Sequence, residues 1–485
     1  MTVPESRPVP ARSDDVGSPE ANRRQRRRRL RHILIMALAF AGPGLIAANA
    51  GNDAGGIATY ASAGAQFGYR TLFVMLVVTI ALVVVQEMCA RLGAYTGDGL
   101  GSLIREQFSI RVTAFALLAF VVANLGLVVS EFAGIAAALN LVGISRYISV
   151  PVAAVAIWSL VVFGTYRYAE RLFLILSLAF LTYPVAAILA HPKWSEAASN
   201  FIWPHVVASR DFLLLSVALI GTTITPYMQF YIAGAVADKG VGPADYKAER
   251  IDTVGGAIFA DLISMFIIIA TAAAIHVRAP LHSAAQAAQA LRPVAGRFAE
   301  QLFALGLLGA SALAAAVVPL STAYAISEAA GAERSVGRRF REAPLFLGLF
   351  TGQIFLGAAV ALIPGNLIQL LINAQLLNGI ITPVLLIYVL VLASRRRVLG
   401  GAANGAVYRV VAAACVAVVA IMAAAALTVT VLGWFGIRLP RRTGTRHCRF
   451  RASRTGQTWE SRPSGRVVAR RACSFRGAAE LGACP

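Results

Sequence analysis

The sequence is short of charge, of acids and of cysteine. Only 14% of its 485 residues are Asp, Glu, Lys or Arg, against about 25% in soluble domains. Five cysteines without a CxxC pair, and six histidines outside metal-finger spacing, exclude a disulfide scaffold and a structural zinc site. P-loop, G-x-S-x-G elbow and HExxH are also missing. An ATP-driven pump or membrane hydrolase would therefore lack its machinery, and the chain reads as a non-enzyme without a resident cofactor. What fills the sequence instead is oil: 58% of it is Ala, Val, Ile, Leu, Met, Phe, Trp, Tyr or Cys. A soluble domain of this length could not bury that much apolar surface. The composition is that of an integral membrane protein.

The net charge of +21 is concentrated at the ends. Residues 1–32 hold 9 Arg and 4 acids, and residues 438–485 hold 12 Arg, 2 acids and no Lys. Basic ends on an apolar body determine membrane topology more simply than they contact nucleic acid, so no nucleic-acid partner is expected. Residues 1–32 read as a disordered basic cytoplasmic arm rather than a signal peptide, because the following apolar run is long and ten further spans succeed it. Residues 436–485 show no helical or strand period and resemble a frame-shifted reading of coding sequence more than a selected domain.

Eleven apolar segments within residues 33–435 approach the length of about 20 residues that a span needs. They lie near 33–65, 71–90, 112–139, 149–164, 172–190, 212–236, 253–276, 301–327, 345–363, 367–393 and 410–435. With the N-terminus inside, the inner segments before the tail carry 25 Lys and Arg and the outer loops 7. The positive-inside rule thus predicts a multi-pass inner-membrane protein with a cytoplasmic N-terminus, the lipid bilayer being its first partner.

Two spans carry breaks. The first reads Ala41-Gly42-Pro43-Gly44 and then Gly51-Asn52-Asp53-Ala54-Gly55-Gly56; the sixth reads Gly221-Thr222-Thr223-Ile224-Thr225-Pro226-Tyr227. Unwound backbone at membrane depth survives only where protein or a wet cavity satisfies it, and its freed carbonyls can ligate a cation. Breaks five spans apart are what two inverted five-helix repeats would give. Asp53, at the first break, would cost about 3 kcal/mol near the bilayer centre, so it needs a partner or a task. A helix cap is one such task; a cation ligand is favoured by the glycines and by the second break. Glu131 in the third span could be a protonated interhelical hydrogen-bond donor or a proton or cation relay, and Asn124, seven residues earlier, could share its face. Asn373, Gln375 and Asn378 in the tenth span could ligate a hard cation or bond helix to helix. Gly97-Asp98-Gly99 reads as a turn.

With these segments in view, residues 33–435 resemble the Nramp family of divalent metal transporters. The resemblance runs through "GPGLIAANAGNDAGG", "AQFGYRTLFVMLVV", "QEMCARLGAYTG", "SEFAGIAAALNLVG", "ERID" and "NAQLLNGIITP". It implies an all-α LeuT-type fold of two inverted five-helix repeats plus one helix, with metal held between the breaks. The family's Asp-Pro-Gly-Asn reads Asp53-Ala54-Gly55-Gly56 here, and its Met-Pro-His reads Thr225-Pro226-Tyr227. Its second sixth-helix His falls on Ile232, and its proton-handling third-helix Asp on Val128. Oxygen in place of thioether sulfur favours hard ions, so the pattern resembles the Nramp-related branch that carries Mg²⁺ and Mn²⁺. The implied metal site comprises Asp53, the carbonyls of Ala50 and Thr222, the Gly56 position, Thr225 and Gln375, in a pocket enlarged by the lost side chains. Expected transport is alternating access of Mg²⁺ or Mn²⁺, with Fe²⁺ behind them and with weak or no proton coupling. An amino-acid transporter on the same fold is the alternative; a metal sensor on a transporter scaffold is a more distant one.

Overall fold

The computed structural model describes residues 53–163, 178–275, 279–332 and 340–434. The basic ends, the first half of span one and Ala50 lie outside the described residues. What is described consists of α-helices joined by short loops and 3-10 turns.

Chain order gives α1 (Ala54–Phe67), α2 (Leu72–Thr96), α3 (Ile110–Asn140), α4 (Arg146–Val162), α5 (Thr182–Leu189), α6 (Arg210–Thr223) and α7 (Pro226–Asp238). They are followed by α8 (Tyr246–Ala274), α9 (Ala299–Ala330), α10 (Pro344–Ala361), α11 (Leu367–Ser394) and α12 (Ala406–Trp434). Among the described residues, eight stretches are long and apolar enough to span a membrane, counting α1 with α2 and α6 with α7 as single stretches. They overlap the expected spans apart from the fourth and fifth, the first span only from residue 54 onward. Span four appears as α4, which has 17 residues and is apolar but short. Of span five, only residues from 178 onward are described.

Local chemistry sets the helix ends. Gly97 takes φ 73° and closes α2 by donating its N–H to the Gly93 carbonyl, the left-handed stop that glycine adopts without a Cβ clash. The expected turn at Gly97-Asp98-Gly99 is therefore present, and the Asp98 N–H is held at 3.2 Å by Thr96 Oγ1. The outer faces stay apolar: on α12, Val407, Val410 and Ile421 are 81%, 69% and 68% exposed. Water would not tolerate such a face, whereas lipid does.

Small residues let the interior helices touch. A Cβ on Gly221 would overlap the backbone of Gln375 and Gly379, and one on Gly379 would overlap the Val217 carbonyl. Helices α6 and α11 thus cross backbone to backbone, the packing that small residues permit in lipid. Where the C-terminal half of α2 meets α8 and α12, the buried Glu87 ties three elements together. It accepts hydrogen bonds from the Tyr246 and Tyr408 hydroxyls and pairs with Arg91 at 3.3 Å and Arg250 at 3.7 Å.

Candidate metal-binding site

The second sequence-predicted break, and Asp53 from the first, bring buried polar groups together. At the first, Asp53 is extended (φ −68°, ψ 173°) and α1 begins immediately after it. Its Oδ1 accepts the Gly56 N–H at 2.6 Å, so the carboxylate caps α1. At the second break α6 stops at Ile224 (φ −107°, ψ 62°), Thr225 is extended, and Pro226 opens α7. Proline suits that first helical position because its missing N–H would have had no helical partner. It also disfavours helical backbone at Thr225, which holds the break open.

Three helices bring polar groups toward Asp53. From α11, Gln375 Nε2 donates to both carboxylate oxygens at 3.2 Å. From α6, the Thr222 hydroxyl faces the same carboxylate without closing a hydrogen bond of good geometry. From α3, Glu131 Oε2 accepts the Ala54 N–H at 3.4 Å, placing a second carboxyl group at the N-terminus of α1. The free N–H groups of that helix end stabilise each carboxyl group, while two negative charges there would repel one another. Ser130 completes the set: a Cβ on Gly55 would come 2.7 Å from its Oγ and would overlap Gln375 Nε2.

The oxygens left over are informative. Thr222 Oγ1, Thr225 Oγ1, Ser130 Oγ, Glu131 Oε1 and Gln375 Oε1 are all buried without a hydrogen-bond partner. Orphaned buried oxygens cost about 1–3 kcal/mol each unless something satisfies them. Among the described residues no group of three or more His, Cys, Asp or Glu side chains could hold a metal. The donor set is one or two carboxyl groups with neutral hydroxyl and amide oxygens, which suits a hard divalent ion that keeps part of its water.

Several expectations need refinement. Gly56 directs its N–H to Asp53, and its carbonyl lies within the helical ladder of α1. Nor does the missing side chain there leave open space, because a Cβ on Gly56 would meet Thr222 Oγ1 at 2.6 Å and Asp53 Oδ1 at 3.0 Å. The three tenth-span amides divide their roles. Gln375 faces the carboxylate, whereas Asn378 Nδ2 donates to the Gly221 carbonyl; the Thr382 hydroxyl donates to the Asn378 carbonyl at 2.8 Å and lies 3.4 Å from the Ile224 carbonyl. The Asn378 bond braces the second break. Asn373 is exposed and accepts a hydrogen bond from Gln369 at 2.8 Å. Asn124 does share the interior face with Glu131, donating to Thr322 Oγ1 at 2.7 Å.

Three features were not anticipated from the sequence: Ser130, the Tyr60–Thr223 hydroxyl pair at 3.0 Å, and Asp261, an acid buried within α8. Asp261 alone had a signal, being a carboxylate deep inside an apolar span.

A helix break at Ile224–Thr225 and a helix start capped by the buried Asp53 place a polar cluster inside a set of apolar, membrane-length helices. The model of the natural resistance-associated macrophage protein-like (Nramp) family matches residues 44–430. The chain belongs to that family. The divalent metal cation transporter MntH of Agrobacterium fabrum is 29% identical over 286 residues, 56% of this chain and 62% of the relative. MntH of Ralstonia nicotianae is 32% identical over 297 residues, 56% of this chain and 65% of the relative. The match thus spans a little under two thirds of each of these relatives. A manganese transporter of Eremococcus coleocola shares the fold, with a TM-score of 0.64 at 19% identity over 83% of this chain and 89% of that one. The fold is LeuT-type, as the resemblance implied.

Proposed function

We propose that this protein is a secondary transporter that carries a hard divalent cation, Mg²⁺ or Mn²⁺, across the inner membrane with its N-terminus in the cytoplasm. One observation carries the reading: the Asp53 carboxylate stands at the N-terminus of α1, beside buried oxygens that no protein donor satisfies. A cation entering there would meet the carboxylate, Thr222, Gln375 and the break carbonyls. Gln375 presents its amide nitrogen to Asp53, so its side chain would have to turn to offer Oε1 to a cation. Thr225 supplies oxygen where the family has thioether sulfur, which removes the preference for softer metals. The relatives named above, a divalent metal cation transporter and a manganese transporter, point the same way. Movement would follow alternating access, one bundle rocking about the seat.

Weak or absent proton coupling along α3 fits the packing. Val128 stands at the family's proton-handling position and is wedged against α10, where a Cβ on Gly357 would come 2.6 Å from Val128 Cγ1. Helix α10 itself carries no charged residue. The amino-acid alternative is disfavoured because the N-terminus of α1, where a substrate carboxylate would dock, already holds Asp53 and Glu131.

Mn²⁺ uptake into proteoliposomes, with Mg²⁺ as competitor and internal pH recorded together, tests the proposal. Saturable Mn²⁺ uptake that excess Mg²⁺ suppresses, with little acidification, is expected. Mn²⁺ uptake indifferent to Mg²⁺ would refute the hard-ion assignment.

A further inference from the structure

A second buried carboxylate lies away from the metal seat. Asp261, halfway along α8, is 3% exposed, and its Oδ2 has no hydrogen-bond partner. The Thr79 hydroxyl on α2 lies beside its carboxyl group but donates its proton to the Met75 carbonyl at 2.7 Å. From α1, Tyr60 lies within electrostatic reach of Asp261 and hydrogen-bonds Ser264, one turn further along α8. No Lys, Arg or His among the described residues pairs with it.

Other titratable groups on the elements around it are few. Helix α1 contributes Tyr60 and, seven residues away, Asp53; α5 contributes Tyr183. On α2, Glu87 and Arg91 lie eight and twelve residues beyond Thr79, about 12 Å and 18 Å along the axis. On α8 itself the nearest is Asp252, nine residues back. Arg70, in the turn between α1 and α2, is exposed. An isolated carboxylate with one orphan oxygen in this interior is untenable without a positive charge.

We propose that Asp261 is a second cation seat, for a singly charged ion (a proton or Na⁺), set between α1, α2 and α8 and linked to the metal seat through Tyr60 and Thr223. One carboxylate among neutral hydroxyls balances one positive charge; a divalent ion would leave an unpaired charge in a low-dielectric interior. The link is structural. Tyr60 Oη shares a hydrogen bond with Thr223 Oγ1 at 3.0 Å, and Thr223 is the last residue of α6 before the break. An ion that draws Tyr60 and Ser264 toward Asp261 thereby biases the end of α6, and by linkage Mn²⁺ binding biases the ion in return.

The inference rests on the transport reading only for its coupling arm; ion uptake by Asp261 is read separately. Infrared difference spectra of the purified full chain, recorded on a pH step at fixed Na⁺ and on replacement of Na⁺ by N-methylglucamine at fixed pH, should contain a carboxyl band that is lost in Asp261→Asn. The step that produces the band identifies the ion. The Mn²⁺ dissociation constant should change about tenfold across that same step in the wild type. It should stay within about twofold in Asp261→Asn and in Tyr60→Phe, while Tyr60→Phe keeps the infrared band. Spectra identical in wild type and Asp261→Asn under both steps would overturn the seat. A band that depends on Asp261, with Mn²⁺ affinity indifferent to it, would overturn the link. Failure of Mn²⁺ to bind the wild type at all would refute the transport reading and the link together, leaving the seat to stand or fall on the infrared band.

Discussion

Glu87 and Asp53 are both carboxylates buried among helices, yet their surroundings are opposites. Glu87 takes two tyrosine hydroxyls and two arginines, and both of its oxygens are accounted for. Asp53 takes one backbone N–H and one amide, and four neighbouring oxygens, from Thr222, Ser130, Glu131 and Gln375, are left unsatisfied. A closed set of partners makes a fastening: removing the charge would leave Arg91 without its anion, held only by the Ala402 carbonyl and the Asn404 side chain. An open set is a vacancy in the bonding pattern that only a cation or water can fill. Burial of an acid therefore does not identify a site; the unmet acceptors around it do.

The comparison can be broken most forcefully at the scaffold. Gly221→Ala should push α6 off α11, because the new methyl group would overlap the Gln375 and Gly379 backbone, at a cost of about 3 kcal/mol or more. The thermal midpoint in detergent should fall steeply and metal binding should go with it; a stable, metal-binding variant would mean the crossing is looser than described. Glu87→Gln should cost about 2 kcal/mol, since Arg91 loses its buried partner while the half-exposed Arg250 contributes little. Here Mn²⁺ affinity should remain within about twofold, and a large loss of affinity would erase the distinction between fastening and seat. Subtler is Thr225→Met, which reintroduces a soft sulfur. Preference for Mn²⁺ or Cd²⁺ over Mg²⁺ should rise about tenfold in competition assays, and unchanged selectivity would remove Thr225 from the ligand set.

The second break and the buried Asp53 were legible because Gly, Pro and an acid are conspicuous in an apolar run. The division of labour on α11 was not. Residues 373 and 375 differ by about 200° around a helix, so one faces out when the other faces in, whereas 375 and 378 differ by about 60°. The sequence alone carries no sign of which pair faces the interior, and only packing against α6 decides it. Ser130 was silent for a related reason: a serine in a membrane helix usually bonds back to its own backbone, and nothing in the chain marks one that does not. Gly56 misled because a missing side chain suggests room, while the Thr222 hydroxyl from another element takes that place.

The most direct measurement is Mn²⁺ binding and uptake by Asp53→Ala in proteoliposomes, with the thermal midpoint recorded on the same preparation. A seat built around that carboxylate predicts loss of both binding and flux, by about a hundredfold or more, in a protein that still melts cooperatively near the wild-type temperature. Flux close to wild type in a well-folded Asp53→Ala would contradict the account.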